Sequence, residues 1–234
     1  MTPQNLMLLP LSTPKLSIGC LILDDCLGGG IPCNSRTELV GESGSRKTQL
    51  CLQLTLRGQL PPLHGGLGAS SVYIFTEFSF QQLGNLYHAS YPNIIRLEPL
   101  EDIYGCGVHD AQQLIHVLGD LEAFIGIDHT CLPVKLIVID SIAALFRSQY
   151  QTTPADFKRQ SEMFFNISGK LKGLANKFGL AVVVTKLQTF KMNSIYIVHA
   201  FQTHRTFHLV FAPHVAYASA EFVITKEGIV GVSR

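Results

Sequence analysis

Residues 37–49 (TELVGESGSRKTQ) combine a glycine-bearing loop with a lysine and a threonine that directly follow it. Gly41, Lys47 and Thr48 fit the pattern G-x-x-x-x-G-K-T. In this pattern backbone N–H groups surround phosphates, the ammonium contacts the β- and γ-phosphates, and the hydroxyl binds Mg²⁺. The flanking residues predict a strand before the loop and a helix after it, which is the context this chemistry requires. The sequence therefore predicts an ATP and Mg²⁺ site formed by Gly41, Glu42, Ser43, Gly44, Ser45, Arg46, Lys47, Thr48 and Gln49.

Arg46 stands where this pattern has its last glycine. Glycine at that position takes a positive φ and lets the backbone approach the phosphates closely. A residue with a Cβ costs about 1–2 kcal/mol in backbone strain there. The guanidinium either obstructs the nucleotide or swings outward and adds a charge-assisted phosphate contact. The sequence is therefore compatible with two hypotheses: a nucleotide site that works, and one that Arg46 weakens.

Two acidic residues stand at the ends of apolar strand patterns further along the chain. The run LIVID ends at Asp140, and after a phosphate loop such an acid holds the Mg²⁺ shell opposite the loop hydroxyl. The run VYIFTE ends at Glu77, a candidate for orienting or activating the attacking water. A strand that ends in Asp is common in any α/β protein, and Glu77 alone also suits a solvated loop. Because ligands bind at the carboxyl ends of parallel strands, both acids are expected near the phosphate loop.

Strand and helix patterns alternate over most of the chain. Continuous apolar strands separated by amphipathic helices predict an α/β fold with a mostly parallel central sheet flanked by helices. Beyond Lys186, two strand patterns predict an antiparallel C-terminal edge. The predicted strands are 36–40, 72–76, 136–139, 180–185, 206–211 and 221–225, and the predicted helices are 47–56, 108–124 and 157–178.

Composition bounds the remaining possibilities. The 234 residues carry a net charge of +1 with only 15% charged residues, so no global charge attracts nucleic acid or a membrane. No apolar run reaches the roughly 18 residues of a membrane helix. Six cysteines without a Cys-x-x-Cys spacing are expected to be reduced, buried thiols of an intracellular protein. Residues 1–15, which contain three prolines, are predicted to be an extended lead-in to a single core domain at 16–234.

Taken together, these residues resemble the RecA-like recombinase superfamily. The segments TELVGESGSRKTQLCLQL, VYIFTE and KLIVIDSIAALFRSQY follow the order of its motifs. The lead-in LSIGCLILDDCLGGGIPCNSRTELVGE is similar to the eukaryotic branch, in which a glycine-rich turn precedes the phosphate strand. The closing segment APHVAYASAEFVITKEGIVG resembles the recombinase paralogues of that branch. The resemblance implies a RecA-like P-loop NTPase core.

The resemblance also implies a function. It implies an ATP-binding subunit in homologous recombination and double-strand break repair, located in the nucleus with a possible cytoplasmic pool. Its implied partners are a second recombinase paralogue, the eukaryotic recombinase and single-stranded or branched DNA, with no membrane. Carried over by position, Lys47 and Glu77 are the catalytic residues, and Thr48 and Asp140 hold magnesium through ATP. Residues 147–159 correspond to the first DNA-facing loop, with Arg147, Tyr150, Lys158 and Arg159 as DNA-binding candidates, although a solvated surface loop fits the same residues.

The chain departs from the superfamily pattern at Arg46 and in two further places. The third core strand usually continues Thr-Asn-Gln, a polar pair that links the γ-phosphate to the second DNA loop, but here reads Thr185-Lys186-Leu187. Residues 186–205 contain no glycine and are shorter than that loop usually is. The small helical N-terminal domain of the family has no counterpart in the sequence, as expected of a divergent, truncated or alternatively spliced form.

Three functions remain open at this point. The first is a repair subunit that binds ATP and slowly hydrolyses it, as Lys47, Thr48, Asp140 and Glu77 indicate. The second is a non-enzymatic assembly subunit with an impaired nucleotide site, as Arg46 indicates. The third is a P-loop kinase or transport ATPase outside recombination, which the glutamate after the second strand disfavours.

Overall fold

The structure is a computed structural model that describes residues 13–76, 99–127, 132–147, 153–187, 196–201, 204–210, 212, 215–225 and 228–232. Apolar and β-branched runs form its strands. Within these ranges the strands are β1 (Lys15–Leu16), β2 (Ile31–Pro32), β3 (Ser35–Gly41), β4 (Ser70–Phe75), β5 (Ile103–Gly107), β6 (Val134–Asp140), β7 (Ala181–Leu187), β8 (Tyr196–Phe201), β9 (His204–Leu209), β10 (Ala218–Thr225) and β11 (Gly228–Val232).

The main sheet of the described residues has the strand order β11-β10-β9-β8-β3-β7-β6-β4-β5. The strands from β8 to β5 in that order pair in parallel. The last three strands of the chain add an antiparallel edge beyond β8. The short strands β1 and β2 pair with each other outside this sheet. The expected parallel sheet with an antiparallel C-terminal edge is confirmed.

Helices cover both faces of the sheet. Alternate residues of β6 point to opposite sides, since Leu136 and Val138 join the apolar cluster around the second helix, whereas Ile137 and Ile139 join the other cluster. This double burial explains why the central strands are continuously apolar. The helices of the described residues are α1 (Leu21–Cys26), α2 (Lys47–Gly58), α3 (Ala111–Gly126), α4 (Ala144–Arg147) and α5 (Pro154–Phe178).

The long helix α5 has well-defined ends. The side chain of Thr153 accepts a hydrogen bond from the Asp156 N–H, and the Asp156 side chain accepts one from the Thr153 N–H, so the two form a capping box. Pro154 occupies the first turn, where its missing N–H costs nothing. Gly179 ends the helix in the left-handed region at φ 69°, as its position predicted.

Among the described residues, five strands escaped the sequence patterns: the short β1 and β2, the final strand β11, and β5 and β8 within the sheet. β5 is interrupted by glycines and has no continuous apolar run, and β8 lies within residues 186–205, which were expected to be a shortened loop. The backbone of β8 instead pairs with the free edge of β3, where Ile197 lies opposite Val40. The strands expected at 206–211 and 221–225 are present but begin earlier, as β9 and β10.

Gln53 is a buried polar residue of α2 that connects three distant segments. Its Nε2 donates to the carbonyl of Ile18 at 2.7 Å, and its Oε1 accepts from the N–H of Ile229 at 3.0 Å. Residues 17–20, between β1 and α1, form the entry turn. Asp24 also fixes this turn, because its carboxylate accepts hydrogen bonds from the Ile18 N–H and the Ser17 hydroxyl. The phosphate helix, the entry turn and β11 are therefore joined by one amide side chain.

For the described residues, the structure also answers questions about cysteine pairing, metal-binding clusters and membrane-spanning helices. Their cysteines are unpaired; Cys106 is half-buried and the others are buried. They contain no cluster of three or more His, Cys, Asp or Glu residues placed to bind a metal ion. None of their helices combines the length and apolar character needed to cross a membrane. Residues 1–12 lie outside the described part, so the lead-in at 1–15 stays a prediction.

Candidate nucleotide-binding site

The loop between β3 and α2 leaves the first turn of the helix open. Arg46 directly precedes that helix with φ 66° and ψ 32°, the left-handed conformation expected of the glycine it replaces. No side chain caps the helix N-terminus, so its first N–H groups lack partners within the helix. A Cβ added at Gly44 would meet nothing within 4 Å, which shows that the loop has open space beside it. Such N–H groups at the positive end of a helix dipole bind phosphate.

The ammonium of Lys47 folds back onto the loop. Its Nζ donates to the carbonyls of Gly41 and Glu42, both at 2.9 Å, and to the hydroxyl of Ser45 at 3.1 Å. These three acceptors use all three ammonium donors. Burial lowers the pKa of Lys47, and the nearby charge of Asp140 acts in the opposite direction. An entering phosphate therefore has to replace three hydrogen bonds to loop oxygens.

Asp140 ends β6 with its carboxylate almost fully buried at 8% exposure. Its Oδ1 accepts from the hydroxyl of Thr185 at 2.5 Å, and its Oδ2 accepts from the hydroxyl of Tyr73 at 3.0 Å. Burial lowers the pKa of Lys47 and raises that of Cys51, and for both groups the charge of the nearby Asp140 acts to raise the pKa. The structure thus brings together the predicted acid and the predicted lysine on the α2 face of the sheet.

Tyr73 lies entirely within the core on β4. Burial is the main cause that raises the pKa of its hydroxyl, and the neighbouring Cys51 and Asp140 raise it further. The tyrosine is therefore a neutral hydrogen-bond donor to Asp140 at physiological pH.

Glu77, the predicted catalytic glutamate, lies outside the described residues. The residue before it, Thr76, is fixed at the carboxyl edge of the sheet. Its N–H donates to the carbonyl of Asp140 at 3.1 Å, and its hydroxyl accepts from the Ser141 N–H at 3.2 Å. The chain segment that leads into Glu77 is thus tied to the end of β6.

The residues present fit a magnesium–nucleotide complex. Carboxylate and hydroxyl oxygens, as in Asp140 and Thr48, are the ligands that Mg²⁺ prefers. The side chain of Thr48 is half-buried at the open start of α2, and the charge of Asp140 reaches Lys47. The uncapped N-terminus of α2 and the ammonium of Lys47 both suit the binding of phosphate groups. The side chain of Arg46 is exposed.

Lys186 faces away from this site. Successive strand residues point to opposite faces, so Thr185 reaches Asp140 while Lys186 reaches the α5 side. There its Nζ contacts Glu38 at 2.9 Å and lies 4.3 Å from the ring centre of Phe164. Glu38 also pairs with Arg36 at 2.9 Å, and Arg36 in turn donates to Ser168 of α5. The lysine that departs from the superfamily pattern therefore belongs to a charge cluster beneath α5.

The DNA-binding candidates are only partly described. Arg147 is the last residue of α4, and Tyr150 lies outside the described residues. Lys158 and Arg159 are exposed, but they belong to the first turns of α5 and not to a loop as expected. The capping box and the first-turn proline start the helix before these residues, which corrects the predicted loop at 147–159.

Comparison with known proteins adds to this geometry. Residues 12–200 match the family model described as Rad51. The chain belongs to the Rad51 family. This confirms the RecA-like fold expected from the motifs, with its parallel sheet, flanking helices and phosphate loop.

Two relatives narrow the similarity. A DNA repair protein XRCC3 homolog from Arabidopsis thaliana is 48% identical over 195 residues, which cover 80% of this chain and 64% of that protein. The DNA repair and recombination protein RadA from Metallosphaera sedula is 31% identical over 239 residues, which cover 93% of this chain and 72% of that protein. The chain thus spans less than two thirds of the Arabidopsis protein. Within the Rad51 family it resembles the recombinase paralogue XRCC3.

Sequence reasoning missed Tyr73 as a site residue. Its ring looks like an ordinary core aromatic in an apolar strand, and only the sheet register brings its hydroxyl to Asp140, which lies opposite Phe75 on the neighbouring strand. The available signal was its position two residues before the strand end, since Tyr73 and Phe75 share a face. A hydroxyl on a buried strand beside one that ends in an acid is worth testing as a partner of that acid.

Proposed function

We propose that this chain is an ATP-binding subunit that acts in homologous recombination and double-strand break repair in the nucleus. The observation that carries the proposal is the placement of Lys47 and Asp140 on one face of the sheet, at the open N-terminus of α2. The repair function is supported by the two relatives, which are named as DNA repair and recombination proteins.

Each residue of the site has a task in this proposal. The N–H groups at the start of α2 bind the phosphates, and Lys47 exchanges its bonds to the loop carbonyls for bonds to phosphate oxygens. Thr48 and Asp140 hold Mg²⁺, which when bound neutralises phosphate charge. Glu77 follows Thr76 in the chain and is the candidate for orienting water during slow hydrolysis.

The partners belong to the same proposal. A second recombinase paralogue and the eukaryotic recombinase are the protein partners, and single-stranded or branched DNA is the nucleic acid. Lys158 and Arg159 are exposed on α5 and suit contacts with the DNA backbone.

Titration with a fluorescent ATP analogue in the presence of Mg²⁺ tests the proposal. We expect saturable binding below about 1 mM, the upper end of ordinary enzyme–substrate affinities. Lys47→Ala removes the ammonium and should abolish binding. Lys177→Ala is the matched control, because this lysine pairs with Glu122 on the surface. Absence of saturation by the natural chain contradicts ATP binding.

A second candidate function is supported by two observations in the loop. Arg46 carries a Cβ and a long side chain where the pattern has glycine, and the ammonium of Lys47 is already satisfied by loop oxygens, so nucleotide binding starts from a disadvantage. The chain would then be a non-enzymatic assembly subunit of a paralogue complex. Co-purification with a partner paralogue distinguishes the two functions: equal recovery of the partner by the natural chain and Lys47→Ala, with and without ATP, favours assembly alone.

A further inference from the structure

The carboxylate of Asp140 is held from both sides. β6 lies between β7 and β4 in the sheet, and each neighbour contributes one hydroxyl to the acid. Thr185 of β7 donates to Oδ1 at 2.5 Å, and Tyr73 of β4 donates to Oδ2 at 3.0 Å. One donor for each oxygen fixes the rotation of the carboxylate plane as well as its position.

Both donors are rigid. Tyr73 and Thr185 have no exposed surface, and they sit on strands that pair with β6 over several residues. The orientation of the acid is thus set by two buried hydroxyls on strands that pair directly with its own strand.

The arrangement leaves the acid able to bind further partners. A carboxylate offers about four acceptor sites, and the two hydroxyls occupy two of them. Among the residues that the structure describes, these two hydroxyls are the donors to the carboxylate, which leaves acceptor sites for a metal ion or its water molecules. Groups that orient a metal-binding carboxylate typically change metal affinity about 10–100-fold when they are removed.

We propose that Tyr73 and Thr185 are positioning residues that orient the Asp140 carboxylate toward Mg²⁺ bound with the nucleotide. The inference rests on the proposed nucleotide site and goes beyond it by assigning the two hydroxyls to the metal and not to the phosphates. The alternative is that the hydroxyls only satisfy a buried carboxylate and so contribute to stability alone.

The test measures how nucleotide affinity depends on Mg²⁺. Tyr73→Phe and Thr185→Val each delete one hydroxyl with little change in volume. For each variant, a fluorescent ATP analogue is titrated in EDTA and at a series of Mg²⁺ concentrations. We expect the Mg²⁺ concentration for half-maximal enhancement of binding to rise about tenfold, while affinity in EDTA stays unchanged. A purely structural function lowers the melting temperature without moving this metal dependence.

Two further variants complete the design. Thr185→Ser keeps the hydroxyl and should restore the Mg²⁺ dependence of the natural chain. Thr55→Val is the control, because Thr55 is equally buried but its hydroxyl donates to the carbonyl of Leu52 within α2 and not to Asp140. The two deletions come from different strands, so loss of folding in one variant leaves the other as the test.

The outcomes separate this inference from the proposed function. If the natural chain binds nucleotide and the deletions leave the Mg²⁺ dependence unchanged, the positioning inference is wrong and the proposed site stands. If the natural chain binds no nucleotide, the proposed function is wrong, and the same comparison is made in the Arg46→Gly background. An unchanged metal dependence there, or no binding in that background either, overturns the positioning of Asp140 for Mg²⁺.

Discussion

Arg46 carries a long charged side chain on the backbone conformation of a glycine. Its φ of 66° shows that the loop keeps its phosphate-binding path despite the substitution. The cost is therefore stored as strain and is not relieved by a rearranged loop. Because the side chain is exposed, the Cβ and the strained backbone are the features that every nucleotide complex must accommodate.

The first prediction concerns this residue. Arg46→Gly should bind an ATP analogue at least about tenfold more tightly than the natural chain does, a difference in binding free energy of about 1.4 kcal/mol. It should also unfold with a free energy about 1 kcal/mol higher than that of Arg46→Ala, since alanine retains the left-handed strain. Urea denaturation and analogue titration of the two variants measure both effects. Equal affinities for the two variants would assign the obstacle to the guanidinium and not to the Cβ.

At the scale of elements, the two ends of α5 show how single residues set its limits. The second prediction compares two glycines of this region. Gly179→Ala places a Cβ at φ 69° and should lower the free energy of unfolding by about 1 kcal/mol. Gly169→Ala lies within α5 with nothing within 4 Å of the added Cβ, and should raise it by about 0.5–1 kcal/mol. Chemical denaturation that shows the same sign for both changes would contradict the assigned helix end.

The charge cluster beneath α5 couples that helix to β3 and β7. Glu38 is 6% exposed and pairs with both Arg36 and Lys186, which are 27% and 17% exposed. The third prediction is that Glu38→Gln lowers the free energy of unfolding by about 2 kcal/mol, less than for a fully buried pair because water reaches the cations. The measurement is urea denaturation with Glu122→Gln as control, since that pair is on the surface.

A double-variant cycle tests the cluster directly. Lys186→Asn introduces the residue that the superfamily pattern has at this position and removes one of the two cations. The double variant with Glu38→Gln should lose less free energy of unfolding than the two single variants lose together. The reason is that either single change already breaks the Glu38–Lys186 ion pair. Strict additivity would show that Glu38 and Lys186 do not interact energetically.

Much of this architecture could be predicted from the sequence, for reasons that particular residues show. The run that ends at Asp140 is continuously apolar, and the phosphate loop is marked by Gly41 and Lys47, so strand, loop and acid follow from local pattern. β8 and the hydroxyl of Tyr73 could not be predicted, because both depend on which strands become neighbours. The order of strands in a sheet depends on contacts between distant segments, which local residue patterns do not reveal.

At the scale of the whole molecule, buried thiols make stability depend on alkaline pH. Burial raises the pKa of Cys26, Cys33, Cys51 and Cys106 above the usual 9.0, most strongly for Cys51. Above that value the unfolded chain releases thiol protons that the folded chain retains, so unfolding becomes more favourable. Lys47 opposes this trend in part, because burial lowers its pKa and its deprotonation favours the folded state as pH rises.

The fourth prediction follows from this difference in bound protons. Below about pH 9 the thiols stabilise the folded state fully, and the free energy of unfolding should fall as pH rises from about 9 to about 10.5. Cys51→Ala removes one shifted thiol and should flatten this slope by up to about 1.4 kcal/mol per pH unit. Urea denaturation across the range measures both slopes. Parallel curves for the two proteins would show that Cys51 ionises normally.

The amide of Gln53 has a consequence for synthesis on the ribosome. The helix that starts the phosphate site is made early, whereas the Ile229 N–H that satisfies Gln53 Oε1 is added about 176 residues later. At about 5–20 residues per second, this interval lasts on the order of ten seconds or more. During that time Gln53 Oε1 lacks its Ile229 partner. This hydrogen bond can therefore form only after β11 has left the ribosome.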